Sequence, residues 1–369
     1  MIENLLNDRL QKRRDKGLLR TLSSFSGLPN KLPNKLIDLT SNDYFGFATS
    51  PDLIEKIDKK VDRIGASGSR LLTGNSLFYQ ELEEKIARYH KAESCLIYNT
   101  GYTANLGLIA ALGTLETTFI YDLDIHASMI DGMHLSRSKS IPFKHNDLDS
   151  LEKKLKSAAS PSFVLVEAIY SLSGDVAPIK DILKLCSRYG ANLIVDEAHS
   201  TGIMGENGNG YVAELNLESQ VFARIHTFSK ALGSHGACVL GSHTLKEFLI
   251  NFSRPFIYTT ALPLPALFSI EASYEKLGRQ AKDHKTRLKS LITYFHKKIG
   301  IQGPQTPIQP IYISGVDKVR LLSKKLKEQG LDVRAILSPT IKRGKENLRV
   351  VLHSFNTEEE IDKLIEVLK

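Results

Sequence analysis

The sequence predicts an α/β chain: a large domain with a mostly parallel sheet covered by helices on both faces, and a smaller α+β domain at its C-terminal end. Apolar runs such as FVLVE (163–167) and LIVDE (193–197) are continuous rather than alternating, which suits strands covered on both faces. These runs alternate with helical patterns, the signature of βαβ units. After about residue 243 the pattern changes to a long helical stretch, 265–300, followed by short strands and two more helices.

In chain order, helical YQELEEKIARYH (79–90) leads to strand SCLIYN (94–99), then helix GYTANLGLIAAL (101–112) and strand TFIYD (118–122). Helix LDSLEKKLKSA (148–158), strand SFVLVEAI (162–169), helix IKDILKLCSRYG (179–190) and strand ANLIVDEAHS (191–200) continue the alternation. In the last third, Gly300, Gly303, Pro304, Pro307 and Pro310 mark a loop. The reading gives an N-terminal helix and arm (1–42), a large domain (43–260) and a small C-terminal domain (261–369). The N-terminal helix is expected to turn Leu5, Leu6 and Leu10 inward.

The chain has 369 residues, of which 42% are hydrophobic and 24% charged, as in an ordinary globular protein. No apolar run has the roughly 18 residues of a membrane span, and the N-terminus lacks the apolar core of a secretory signal. Cys95, Cys186 and Cys238 are too widely spaced for a disulfide framework or a metal cluster, so no metal is expected and a reducing cytoplasm is the simplest setting. The net charge of +8 raises the question of nucleic acid, but the basic residues are spread along the chain in runs that read as solvated helix faces. Neither a nucleic-acid nor a membrane partner is expected.

RIHTFSKALGSHG (224–236) sets Lys230 between an apolar run and a cluster of small residues. A lysine in such a setting is desolvated, which lowers its pKa and makes it usable as a nucleophile or base. Asp196 ends an apolar strand in IVDEAHSTG, with His199 three residues on. A carboxylate there suits a metal ligand, a base, a clamp for a heterocyclic nitrogen, or a simple helix cap. An Asp at one strand end and a Lys soon after the next strand is the arrangement pyridoxal 5'-phosphate chemistry requires: a covalent anchor, and a partner for the pyridine nitrogen. NTGYTANLG (99–107) supplies a helix start fit for a phosphate, with Gly101 and Tyr102 at its head.

SNDYFGF (41–47), GASGSRLLTGN (65–75), YNTGYTANLG (98–107), DLDIHASMIDG (122–132), EAIYSLSGDVAPI (167–179), VDEAHSTGIMGENGNG (195–210), HTFSKALGSHG (226–236) and RPFIYTTALP (254–263) resemble, in this order, the motifs of the α-oxoamine synthases. These fold-type I pyridoxal phosphate enzymes join an amino acid to an acyl thioester with loss of carbon dioxide. The resemblance implies a seven-stranded sheet and a homodimer with shared active sites.

The resemblance also implies roles. Lys230 anchors the cofactor and moves protons at the substrate Cα, Asp196 pairs with the ring nitrogen, His199 meets the phenolate oxygen and His126 stacks on the ring. Gly101, Tyr102, Thr227 and Ser229 line the phosphate region, Ser171 lies near the phenolate, and Thr259 or Thr260 reaches the partner subunit's phosphate. Arg349 receives the amino acid carboxylate, with Arg20, Asn42 and Thr340 near the substrate. In SPTIKRGKENLRV (338–350) the family's second proline is replaced by Lys342, which alters the loop that carries Thr340. The branch most resembled is the biotin-pathway one, joining L-alanine to a pimeloyl group on CoA or a carrier protein. Other branches, which use glycine or serine, remain alternatives.

Overall fold

The computed structural model describes residues 2–20, 22, 36–338 and 340–369. Two compact units are present: residues 42–289, and residues 1–41 together with 290–369. This division differs from breaks after 42 and 260. Leu264–Ile299 is one continuous 36-residue helix, and the division falls within it, after residue 289, and not at the non-helical stretch around residue 261.

The strands in chain order are β1 (Ile37–Asp38), β2 (Ser94–Tyr98), β3 (Thr118–Asp122), β4 (Lys139–Phe143), β5 (Ser162–Glu167), β6 (Asn192–Asp196), β7 (Ala223–Thr227), β8 (Ala237–Gly241), β9 (Ile308–Tyr312), β10 (Leu331–Asp332), β11 (Arg334–Ile336) and β12 (Asn347–Val351). The larger unit holds a seven-stranded sheet in the order β2-β8-β7-β6-β5-β3-β4. Only β8 runs against its neighbours; β3, β4, β5, β6 and β7 pair in parallel. β2 and β5 are buried at every residue, as their unbroken apolar runs predict. Pattern reading passes over β4 and β8. β4 lies at the sheet edge with an exposed face, and its Pro142 is tolerable only there.

Leu96, Leu108, Phe119, Met129, Leu151, Val164, Ile182, Ile194 and Ile225 belong to one continuous core that strands and helices share. Parallel order brings the C-terminal ends of β3, β5, β6 and β7 to one edge of this sheet, where α/β proteins place their ligands.

The smaller unit contains the antiparallel sheet β11-β12-β9 and the two-residue parallel pair β1–β10. The helices Val316–Glu328 and Glu358–Leu368 bury Val319, Leu326, Ile361 and Leu364. Thr357 and Glu360 close a reciprocal capping box at the start of the last helix. The helix Ile2–Asp15 corrects the sequence reading: it buries no residue, and Leu5, Leu6 and Leu10 are all exposed. Its charges leave too narrow an apolar stripe to hold it against its own subunit.

After β7 the chain turns sharply, with the Gly233 N–H donating to the Lys230 carbonyl at 2.8 Å and the Ser234 N–H to that of Phe228. Gly233 has φ +57°, and a Cβ on it would lie 2.2 Å from the Ala48 backbone nitrogen. The small residues around Lys230 are therefore required by backbone crowding. Gly233→Ala is expected to cost about 2–4 kcal/mol of stability through φ strain and overpacking, measured as a fall in the denaturant midpoint at unchanged slope.

Candidate active site

Asp196 ends β6 and Glu167 ends β5, and the two are register partners on adjacent strands. Both are buried. Asp196 Oδ1 accepts from the Ala198 N–H at 2.9 Å, and Oδ2 accepts from Asn105 Nδ2 at 2.7 Å. Asn105 lies one turn into the helix Gly101–Leu112, and the same amide nitrogen also donates to Ser128 Oγ at 3.1 Å. Ser128 Oγ in turn lies 2.7 Å from His126 Nδ1. With Asn105 donating to it, the Ser128 hydroxyl donates onward to Nδ1, so the imidazole carries its proton on Nε2. One chain of hydrogen bonds thus runs from the strand-end carboxylate to the histidine.

His126 caps the helix Ala127–Ser136 and keeps an accessible face, with the Tyr102 ring edge-on at 6.2 Å. Partial burial lowers its pKa and the Lys230 charge adds to this, against the opposing pull of Asp196. Lys230 is half-buried in the turn after β7. His199 is buried, and its Nδ1 is 2.6 Å from the hydroxyl of the fully buried Tyr44.

The phosphate-side residues also converge. Thr100 and Thr103 form a capping box at the start of the helix Gly101–Leu112. A Cβ on Gly101 would stand 3.6 Å from Thr227 Oγ1, so glycine leaves open the space between this helix start and β7. Thr227 Oγ1 is 3.0 Å from Ser229 Oγ. Asn99 Nδ2 donates to the Thr260 carbonyl at 2.7 Å and to Thr259 Oγ1 at 3.4 Å, tying both threonines beside the same helix start. Tyr102 is partly exposed, and its hydroxyl donates to Asp131.

Ser171 follows β5, and its N–H donates to Glu167 Oε2 at 3.2 Å. The 170–176 turn that carries it is clamped by His145, whose Nδ1 meets Asp122 at 2.9 Å and Nε2 meets Asp175 at 2.7 Å. Burial opposes a charge on this ring, but the two carboxylates prevail and push its pKa up to about 10.

In the smaller unit, Arg20 Nη2 donates to Thr340 Oγ1 at 3.3 Å, and both line a cavity of about 150 Å³ with Arg320, Leu337 and Ser338. Arg349 lies on β12 between Arg334 and Pro310. Asn42 begins the larger unit, its carbonyl accepting from the Tyr44 N–H at 2.9 Å.

A buried carboxylate with fixed oxygens, an open-faced imidazole, a nearby amine and a capped helix start beside two hydroxyls are the parts a phosphorylated pyridine aldehyde needs. Residues 34–368 match the aminotransferase class I and II family, and the chain belongs to it. Within that family it is an α-oxoamine synthase, a pyridoxal phosphate-dependent acyltransferase of fold type I. It is 38% identical to the 8-amino-7-oxononanoate synthase of Emericella nidulans, covering 100% of this chain and 95% of that one. It is 34% identical to the 8-amino-7-oxononanoate synthase 2 of Bacillus subtilis, covering 99% and 96%. Among solved structures, serine palmitoyltransferase of S. paucimobilis with a bound pyridoxal phosphate–myriocin aldimine superposes at TM-score 0.88 with 27% identity, covering 98% of this chain and 95% of that one. The 8-amino-7-oxononanoate synthase of Francisella tularensis superposes at 0.78 with 28% identity, covering 90% and 96%.

Sequence reasoning missed Asn105, Ser128, Tyr44 and Asn99. All four lie inside or beside the motifs quoted, but their roles depend on which oxygen each amide or hydroxyl meets across the fold. Asn105→Ala is expected to weaken retention of pyridoxal phosphate about tenfold and to lower stability by about 1–3 kcal/mol, because Asp196 and Ser128 lose a buried donor. Equilibrium dialysis and denaturant titration read the two effects. For His145→Gln the stability deficit is expected to be full below pH about 6.5 and to narrow as pH rises toward about 10, since a raised histidine pKa stabilises only while the ring is charged. Thermal midpoints across that range test it.

Proposed function

We propose that this chain condenses L-alanine with a pimeloyl thioester, on CoA or a carrier protein, releasing carbon dioxide and the thiol to give 8-amino-7-oxononanoate for biotin synthesis. The observation that carries the reading is that relatives bearing this activity in their names match at 33–38% identity across 99–100% of the chain. The solved serine palmitoyltransferases match at 26–28%. Their high structural similarity makes the serine and long-chain reading the one to test against.

Pyridoxal phosphate, when bound, supplies an electron sink conjugated to the amino acid Cα. Lys230 would anchor it through its amine and, with that amine free, would carry the Cα proton away and later return it. Asp196, fixed by Asn105 and the Ala198 N–H, holds the positive ring nitrogen. His126 would lie against the ring, while His199, oriented by Tyr44, would meet the phenolate oxygen. The N–H groups at the start of the helix from Gly101, with Thr227 and Ser229, bind the phosphate, and Thr259 or Thr260 does so across a homodimer. Arg349 takes the alanine carboxylate as a bidentate fork. Asn42, Arg20 and Thr340 border the acyl substrate, and Ser171 borders the phenolate side. The enzyme works as a cytoplasmic homodimer.

The purified protein reconstituted with pyridoxal phosphate is expected to be yellow, to change spectrum on adding L-alanine, and to release thiol only when pimeloyl-CoA is also present. Lys230→Ala should lose the lysine-linked absorbance and reduce thiol release by at least about 10³-fold. A response to serine with a long-chain acyl-CoA in place of these substrates overturns the alanine assignment.

A further inference from the structure

Glu167 takes no part in the mechanism above, yet it is 2% exposed and sits at the sheet edge beside the most important carboxylate of the site. Register partners on adjacent parallel strands are about 4.8 Å apart and send their side chains to the same face. Two carboxylates so placed cannot both ionise cheaply, and the one with more hydrogen-bond donors keeps the charge. Asp196 has a donor on each oxygen, the Asn105 amide and the Ala198 N–H. Glu167 has the Ser171 N–H on Oε2 at 3.2 Å and a weaker pull from the His126 N–H, while Oε1 is buried without a hydrogen-bond partner. A buried ionised oxygen with no donor costs far more than a neutral carboxylic O–H in the same place, because burial penalises the charge most.

We propose that Glu167 is a positioning residue that remains a neutral carboxylic acid, its proton on Oε1, so that the Glu167–Asp196 pair presents one negative charge to the ring nitrogen instead of two. Burial, and next the Asp196 charge, drive the Glu167 carboxyl far above the ordinary carboxylate range; the opposing pulls of Lys230 and of the Ser171 and His126 N–H groups are smaller. His126, Lys230 and the buried Tyr170 are among the titratable groups that act on this pair. A second negative charge beside Asp196 would raise the proton affinity of every cationic group around the ring. Glu167 therefore sets the electrostatics of the site through Asp196 without touching the ring. Its backbone contact to Ser171 ties the same side chain to the turn on the phenolate side.

This inference rests on the pyridoxal phosphate reading, so its test has one arm with the cofactor and one without. With the cofactor, wild type and Glu167→Gln are titrated with pH while following visible absorbance. Glutamine mimics the neutral acid, so the two midpoints are expected to agree within about 0.3 unit. A midpoint lower by about 1 unit or more in the variant means that it lost a negative charge, and overturns the proposal. A wild type that forms no visible band fails the cofactor reading and leaves the second arm to decide.

Without the cofactor, stability of the same two proteins is followed from pH 5 to 8. A carboxyl whose folded pKa is raised loses stabilisation as pH climbs above its unfolded pKa of about 4.3, so wild type should fall steadily relative to Glu167→Gln across this range. A constant difference above pH 6 means that Glu167 is ionised in the folded protein, and overturns the proposal. If Glu167→Gln does not fold, Glu167→Met carries both comparisons, since it too removes any charge while filling the same volume.

Discussion

The site depends on the burial of one negative charge at the end of β6. A carboxylate in that position survives only with donors on its oxygens, and Asp196 obtains them from its own strand exit and from a helix that begins nearly a hundred residues earlier. The Asn105 bond makes helix and strand a single electrostatic unit. Through Ser128 the same amide reaches His126, so the carboxylate proposed for the ring nitrogen and the imidazole proposed for the ring face are set by one side chain.

The surrounding polar groups follow similar logic. Glu197, next to Asp196, is a structural residue: its carboxylate accepts from the Tyr211 and Val212 N–H groups and the Ser200 hydroxyl, closing the turn that delivers His199. His145 works as a charged bolt between the end of β3 and the turn carrying Ser171. Tyr44 fixes the His199 ring from a loop far away in sequence. The candidate functional groups are thus held mainly by side chains from other elements, the usual division of labour in a site on a rigid scaffold.

Much of this was legible in the sequence where local physics decides the outcome. Continuous apolar runs located β2, β3, β5 and β6 because strands buried on both faces leave no polar alternation. β4 escaped because an edge strand with a proline shows neither an apolar run nor clean alternation. Lys230, Asp196 and His199 could be picked out by their place after strands; Asn105 and Ser128 could not, since an amide and a hydroxyl on helices read as ordinary polar residues until the fold sets them facing each other. The inward packing expected of Leu5, Leu6 and Leu10 failed for a related reason. Helical spacing shows that a face is apolar but not what covers it.

The start of the helix Gly101–Leu112 has one more consequence. Thr100 and Thr103 each accept from the other's backbone N–H, so the shape of this helix start is fixed by the polypeptide alone. A phosphate binding there, as proposed, would meet a helix start already ordered by this capping box. The ordering of this one helix start would therefore not wait on the vitamin-derived partner.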